Sequence, residues 1–235
     1  MKPNVFACVL ACLLALPACV VDGGGPEHVM EHTSRVVAPS HISGIAIETR
    51  SADVVLEATT AKQIAVRTYV AGNRPYTSEH PVEIGREGST LIVSWLWTGF
   101  TWCLGMCETR LEIDYPASLP VGVITSSGDV RAEAARGPLG IHTSSGDVRI
   151  FQAARDLRVH TSSGDVTATL ASGWHGRGIV IETSSGDVRL TVPNGFRGML
   201  MTESDSGDVH DDTHMTGSIP VKITTGSGDI NVFGQ

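Results

Sequence analysis

LRVHTSSGDVTATL, Leu157–Leu170, alternates apolar and polar residues on both sides of a Ser-Ser-Gly-Asp corner. Leu157, Val159 and Thr161 share one parity before the corner, and Val166, Ala168 and Leu170 share one after it. Each flank therefore has the period of a half-buried strand, with the glycine at the bend between them. The inner phrase TSSGDV is written four times, at Thr125–Val130, Thr143–Val148, Thr161–Val166 and Thr183–Val188. Degenerate copies follow at SDSGDV, Ser204–Val209, and GSGDI, Gly226–Ile230, and ETRSADVVLEA, Glu48–Ala58, has the form of an eroded earlier copy. From Gly128 through Gly146, Gly164, Gly186 and Gly207 to Gly228 the steps are 18, 18, 22, 21 and 21 residues. A fixed period of this length marks stacked repeat units.

Two architectures use such a unit. In an array of β-hairpins the Ser-Gly pair is a tight turn and the flanking strands pair with each other. In a β-solenoid the glycine makes a corner and each strand pairs with its equivalent one coil later, about 4.8 Å away. The identity lies in the corner itself, with Thr, Ser and Asp kept beside Gly, and corners stacked in register must share a shape whereas hairpin turns need not. The fold expected is all-β, a single-stranded β-solenoid of stacked 18–22-residue coils. The inward columns are Val123, Ile141, Val159, Ile181 and Ile223 before the corner, and Val130, Val148, Val166, Val188, Val209 and Ile230 after it. Stacked inward threonines, Thr125, Thr143, Thr161 and Thr183, can pack methyl on methyl and pass hydroxyl bonds along the stack.

The repeated SGDV and SGDI corners, together with RLEIDYPASLPVGVITSSGDV at Arg110–Val130, resemble a family of bacterial envelope lipoproteins described as putative adhesins with a β-strand-repeat domain. The resemblance covers roughly residues 40 to 235. It implies a non-enzymatic surface role.

The first residues point to the same compartment. MKPNVFACVLACLLALPAC has one lysine, an apolar run from Val5 to Leu16 and small residues before Cys19, the pattern of a secretory signal too short for a membrane span. Leu16-Pro17-Ala18-Cys19 resembles a lipobox, in which the cysteine is acylated and becomes the new N-terminus; the proline departs from the usual pattern. Val20, where an aspartate would imply inner-membrane retention, favours the outer membrane by the same resemblance. Cleavage removes Cys8 and Cys12 and acylation consumes Cys19, so that Cys103 and Cys107 remain and can pair as a disulfide in an oxidising compartment. The expected organisation is a signal peptide at 1–18, a Gly- and Pro-rich lipidated tether at 19–40, N-terminal β coils at 41–120 with an aromatic hairpin at 94–110, and the solenoid at 121–235.

Stacked corners would place Asp129, Asp147, Asp165, Asp187, Asp208 and Asp229 in one carboxylate column. Like charges about 4.8 Å apart repel, so backbone N–H groups, a cation or arginines must compensate. Arg131, Arg149 and Arg189 lie two residues after their aspartates, on the same strand face, and can supply the answer. The Gly-Asp pairs 128/129, 146/147, 164/165, 186/187, 207/208 and 228/229 are thus read as structural corners. A calcium-binding column is the competing reading, although the nine-residue GGxGxD spacing of calcium repeats does not occur. His142 and His160 precede the threonine of successive copies and Glu182 takes that place in the next, so a His, His, Glu set could hold zinc on an outward face if His175 swung in. No resident cofactor is expected.

The most unusual composition is SWLWTGFTWCLGMCETR, Ser94–Arg110, where Trp95, Trp97, Phe100 and Trp102 gather in a chain that is 5% aromatic. Such a cluster either caps the open end of a solenoid or makes a contact surface for a partner or membrane. The 235 residues carry 17 Lys plus Arg against 25 Asp plus Glu, a net charge of −8 with no basic stripe, which excludes nucleic acid as an expected partner. No G-x-S-x-G or P-loop is present. The expected function is a non-catalytic, lipid-anchored outer-membrane protein whose rigid β-solenoid contacts envelope proteins or glycans. The alternatives are a cation- or ligand-binding module and, after it, a polysaccharide-acting enzyme using paired carboxylates.

Overall fold

A computed structural model describes residues 29–72, 82–96 and 108–235, and among them every regular element is a β-strand. The N-terminal part contributes β1 (Val29–Val37), β2 (Gly44–Thr49), β3 (Asp53–Thr59), β4 (Ile64–Gly72), β5 (Glu83–Glu87), β6 (Thr90–Trp95) and β7 (Glu108–Pro116). The repeats then supply strands two at a time: β8 (Val121–Ile124) with β9 (Val130–Glu133), β10 (Leu139–His142) with β11 (Val148–Ala153), and β12 (Leu157–His160) with β13 (Val166–Leu170). β14 (Ile179–Glu182) with β15 (Val188–Val192), β16 (Gly198–Ser204) with β17 (Val209–Asp211), and β18 (Ile219–Thr225) with β19 (Ile230–Gly234) complete the chain.

The two strands that flank a TSSGDV phrase lie in different sheets. One sheet has ten strands in the order β1-β4-β7-β3-β9-β11-β13-β15-β19-β17, and the other has nine in the order β16-β18-β14-β12-β10-β8-β2-β6-β5. Pairing between copies is parallel and in register: Val123, Ile141, Val159, Ile181 and Ile223 are Cα partners in one sheet, and Val130, Val148, Val166, Val188 and Ile230 in the other. A hairpin would make the flanking strands antiparallel neighbours, so the hairpin array is excluded for these copies. The fold is an all-β repeat arrangement of two mixed sheets with one continuous apolar core between them. Antiparallel pairing is confined to β1–β4, β4–β7 and β5–β6, at one end of the sheets.

The order of coils departs from the order of the chain at both ends. The β18/β19 coil lies between β14/β15 and β16/β17, and the β2/β3 coil lies between β6/β7 and β8/β9. Ile230 therefore pairs with both Val188 and Val209, and Val209 closes the column rather than preceding Ile230 in it. Periodicity marks which residues face inward, and every coil offers the same apolar column, so repeat spacing alone does not order the coils.

Three further expectations change. β1 starts at Val29 and pairs along its whole length with β4, so a paired strand occupies the C-terminal part of the segment read as tether. β6 and β7, which enter and leave the aromatic segment, belong to different sheets and are not a hairpin; residues 97–107 between them lie outside the described residues. The expected Cys103–Cys107 disulfide is corrected: no disulfide exists among the described residues, where no cysteine falls. The count established only that two thiols were left over.

Close packing explains the corner glycine. A Cβ on Gly146 would lie 2.6 Å from the carbonyl carbon of Gly128, and one on Gly164 or Gly186 would meet Gly146 or Gly164 in the same way. Gly228 meets Gly186, Gly207 meets Gly228, and Gly128 meets Ala52 of the eroded copy. None of these glycines lies in the left-handed region; the backbone bends without positive φ, and the side chain is excluded by the neighbouring coil. Gly140, in the middle of β10, has open space where a Cβ would be. Gly164→Ala is expected to destabilise by about 2–3 kcal/mol through forced backbone displacement, whereas Gly140→Ala is expected to be neutral or to stabilise by up to about 1 kcal/mol. Urea midpoints of the two variants against the parent chain check this contrast.

Candidate functional site

The corner residues form three columns, each held by bonds between coils. Thr49, Thr125, Thr143, Thr161, Thr183 and Thr225 are all buried. Within a corner the threonine hydroxyl accepts the glycine N–H three residues on, at 3.3 Å for Gly128 and 3.1 Å for Gly146 and Gly164. Between coils the hydroxyls of Thr183 and Thr225 donate to the carbonyls of Gly164 and Gly186, at 3.3 and 3.0 Å, and Ser204 Oγ donates to Gly228 at 2.9 Å. In this column, among the described residues, hydroxyl passes to hydroxyl only where Thr49 donates to Thr125, at 3.0 Å. The expected threonine ladder is therefore mainly a threonine-to-backbone ladder, in which the hydroxyls bond glycine amides within the corner and, at Thr183 and Thr225, a glycine carbonyl of the neighbouring coil.

The aspartates stack as a continuous chain in the spatial order Asp53, Asp129, Asp147, Asp165, Asp187, Asp229, Asp208. The N–H of Asp129 donates to Asp53 Oδ1 at 2.9 Å, that of Asp147 to Asp129 at 2.9 Å, and that of Asp165 to Asp147 at 3.0 Å. Asp187 donates to Asp165, Asp229 to Asp187 and Asp208 to Asp229, each at 2.9 Å. Each carboxylate but the last thus holds one amide of the next coil.

Backbone amides are the main compensation, and the arginines contribute unevenly. Arg149 bridges Asp129 and Asp147, at 3.4 and 2.8 Å. Arg131 instead pairs with Glu133 at 2.6 Å and lies 4.7 Å over the Phe151 ring, and Arg189 lies 5.3 Å over Phe233. Parity put all three arginines on the aspartate face, but aromatic neighbours on the adjacent coil compete for two of them. Asp53 and Thr49 extend both ladders into the eroded copy; its corner, TRSAD, keeps the threonine and aspartate at the right spacing although the glycine is replaced.

His142, His160 and Glu182 do come together on the outward face. The two imidazoles stack with centroids 4.9 Å apart and planes 4° from parallel, and His160 Nδ1 lies 3.8 Å from Glu182 Oε2. Lys222 donates to Glu182 Oε1 at 2.9 Å and, with His160 and Arg158 nearby, holds the Glu182 carboxyl below its ordinary value. His175 bonds to Gly173 of its own loop at 2.8 Å. Nitrogen lone pairs lie in the ring planes, so parallel-stacked imidazoles do not converge on one ion, and the carboxylate is already paired with a lysine. Among the described residues no group of three or more His, Cys, Asp or Glu is arranged to hold a metal.

Of the aromatic cluster, Trp95 ends β6 and is buried against the core. Trp97, Phe100 and Trp102 lie outside the described residues, as do Cys19, Cys103 and Cys107. On the outward face of the nine-stranded sheet an open depression of about 730 Å³ runs past Gly122, Gly140 and Arg158 between Pro120 and Arg177. It has glycines for a floor and no convergent set of acid, base and nucleophile.

Residues 110–233 match the family model described as Toastrack DUF4097. Among solved structures, a putative cell adhesion protein from Clostridium sporogenes is similar at 13% identity, with 88% of this chain and 100% of that one covered and a TM-score of 0.55. A putative adhesin from Bacteroides fragilis is similar at 11% identity over 87% and 97% of the two chains, with a TM-score of 0.41. No curated protein matches the chain.

Two outcomes are expected of the ladders. Asp147→Ala, which leaves the Asp165 amide without its acceptor, should destabilise by about 1–3 kcal/mol, and Asp147→Asn, which keeps an oxygen acceptor, by less; chemical denaturation of both variants reads the difference. Calcium, zinc or EDTA should leave the thermal midpoint unchanged, since a resident ion would raise it by mass action.

Proposed function

The chain belongs to the Toastrack DUF4097 family, whose model matches more than half of it, and from that premise we propose a non-catalytic cell-envelope protein that serves as a rigid β module for surface interaction or adhesion. The observation that carries this reading is the use of the repeated phrase. Threonine hydroxyls, glycine amides and aspartate carboxylates of TSSGDV are spent on bonds within a corner and between coils, which leaves the phrase a scaffold rather than a site. The name of the similar Clostridium sporogenes protein, a putative cell adhesion protein, supports the same class.

In its finer form the proposal has a single-stranded β-solenoid, with each coil giving one strand to each sheet. A signal peptide at 1–18 is removed, Cys19 carries the lipid, and the outer membrane holds the anchor. The chain from 41 to 120 caps and extends the solenoid at 121–235, and Trp97, Phe100 and Trp102 contact an envelope protein or glycan. The relatively stiff stack fixes where that contact is presented, and the lipid fixes the other end of the chain.

Two experiments test the reading. Crosslinking pull-down from intact envelopes is expected to recover partners with the parent chain and to lose them when Trp97 and Trp102 are both changed to alanine; partners retained by the double variant count against the aromatic contact. Globomycin is expected to accumulate the uncleaved precursor, and Cys19→Ala to abolish incorporation of labelled palmitate. Processing insensitive to globomycin, or palmitate incorporation retained by the variant, excludes the anchor.

A further inference from the structure

The coil built by β16 and β17 is the last in both sheets. Along the stack, the first residue after each corner donates its N–H to the aspartate carbonyl of the next coil: Val54 to Asp129, Val130 to Asp147, Val148 to Asp165, Val166 to Asp187, Val188 to Asp229 and Ile230 to Asp208, at 2.8–2.9 Å. Val209 occupies the same place in the final coil, where no described strand lies beyond it. It is 47% exposed, whereas its column mates are 0–1% exposed. Asp212 donates back to Val232 at 3.0 Å, so strand alternation turns the N–H and C=O of Val209 and Asp211 toward the free edge. The Asp208 carboxylate ends its ladder without an amide from a further coil.

This edge has two other properties. Met199 and Met201, 48% and 46% exposed, lie on its β16 side. Glu203, Asp205, Asp208, Asp211 and Asp212 are exposed around it, and the sequence from Gly198 to Val221 contains no lysine or arginine. Asp211 is in register with Val232, a core position. A second copy of the chain meeting this edge by its own β16/β17 end would bury Asp211 and bring the same five carboxylates against these five. A strand with lysine or arginine among apolar residues satisfies the edge, the carboxylates and Val209 together.

We propose that the β16/β17 end receives an extended basic segment of a partner protein, which adds as the next strand of the stack. Backbone pairing along Val209 and Asp211 supplies affinity, and charge selects the partner. This deepens the reading of the chain as an interaction module and rests on it, with contact placed at the end of the sheets remote from β6.

The test uses the full chain and a labelled eight-residue peptide alternating valine and arginine, beside the valine–glutamate peptide and a valine–arginine peptide N-methylated at alternate residues. Saturable binding by anisotropy is expected for the first alone, at least tenfold tighter than for the other two and weakened by salt. The Val209 and Asp211 amides should exchange more slowly in the complex. Asp211→Lys should abolish binding of the arginine peptide, and Trp97→Ala with Trp102→Ala should leave it intact, so that failure of the aromatic contact and failure of this edge are told apart. Equal binding of the N-methylated peptide, or no protection at Val209, overturns strand addition. Dimerisation of the free chain that Asp211→Lys alters would assign the edge to a second copy and overturn the proposal as well.

Discussion

The approach of one corner backbone to the next is the constraint on which the rest of the structure depends. With a glycine carbonyl lying where the next coil's Cβ would be, the corners stack at the spacing that parallel strands require. That spacing brings the Thr183 and Thr225 hydroxyls within reach of the neighbouring glycine carbonyl and the aspartate carboxylates within reach of the next aspartate amide. A side chain at the glycine would separate the corners and break both ladders together. Repetition of threonine, glycine and aspartate across copies follows from this coupling, and the degenerate copies in the stack keep the aspartate and a hydroxyl in the threonine place.

A polar phrase so fully committed to its own stack has little left for chemistry, and the places where repetition fails become the informative ones. At one end antiparallel strands β1, β4 and β5 break the parallel pattern and extend the sheets. At the other, both sheets end on a short coil with an exposed valine and an aspartate in a core column. Inward charge and exposed methionine on an unpaired edge combine protection from self-association with an affinity for a partner of opposite sign.

The sequence made the inward columns legible, since strand parity is a direct record of burial: Val159, Val166 and their equivalents are in the core, except Val209, which has no coil beyond it. It also located the Asp column and brought His142, His160 and Glu182 together by register alone. The order of coils was not legible, because Ile230 and Val209 are equally suited to follow Val188. The reason for the glycine was misread as a bend, when the steric demand comes from another coil and not from local φ. Arg131 and Arg189 went to Phe151 and Phe233, partners that no within-repeat pattern relates to them. Lys222, which takes up Glu182, was missed because it lies 40 residues away and outside any phrase.

The central claim is that TSSGDV units stack coil on coil, with the final coil inserted before the one that precedes it in sequence. Backbone NOEs on a deuterated chain test it most directly. Parallel cross-strand contacts are expected from Val148 to Val166, from Val188 to Ile230 and from Ile230 to Val209. Antiparallel backbone contacts between the strands flanking one corner, Leu157–His160 with Val166–Leu170, would contradict it, as would direct pairing of Val188 with Val209.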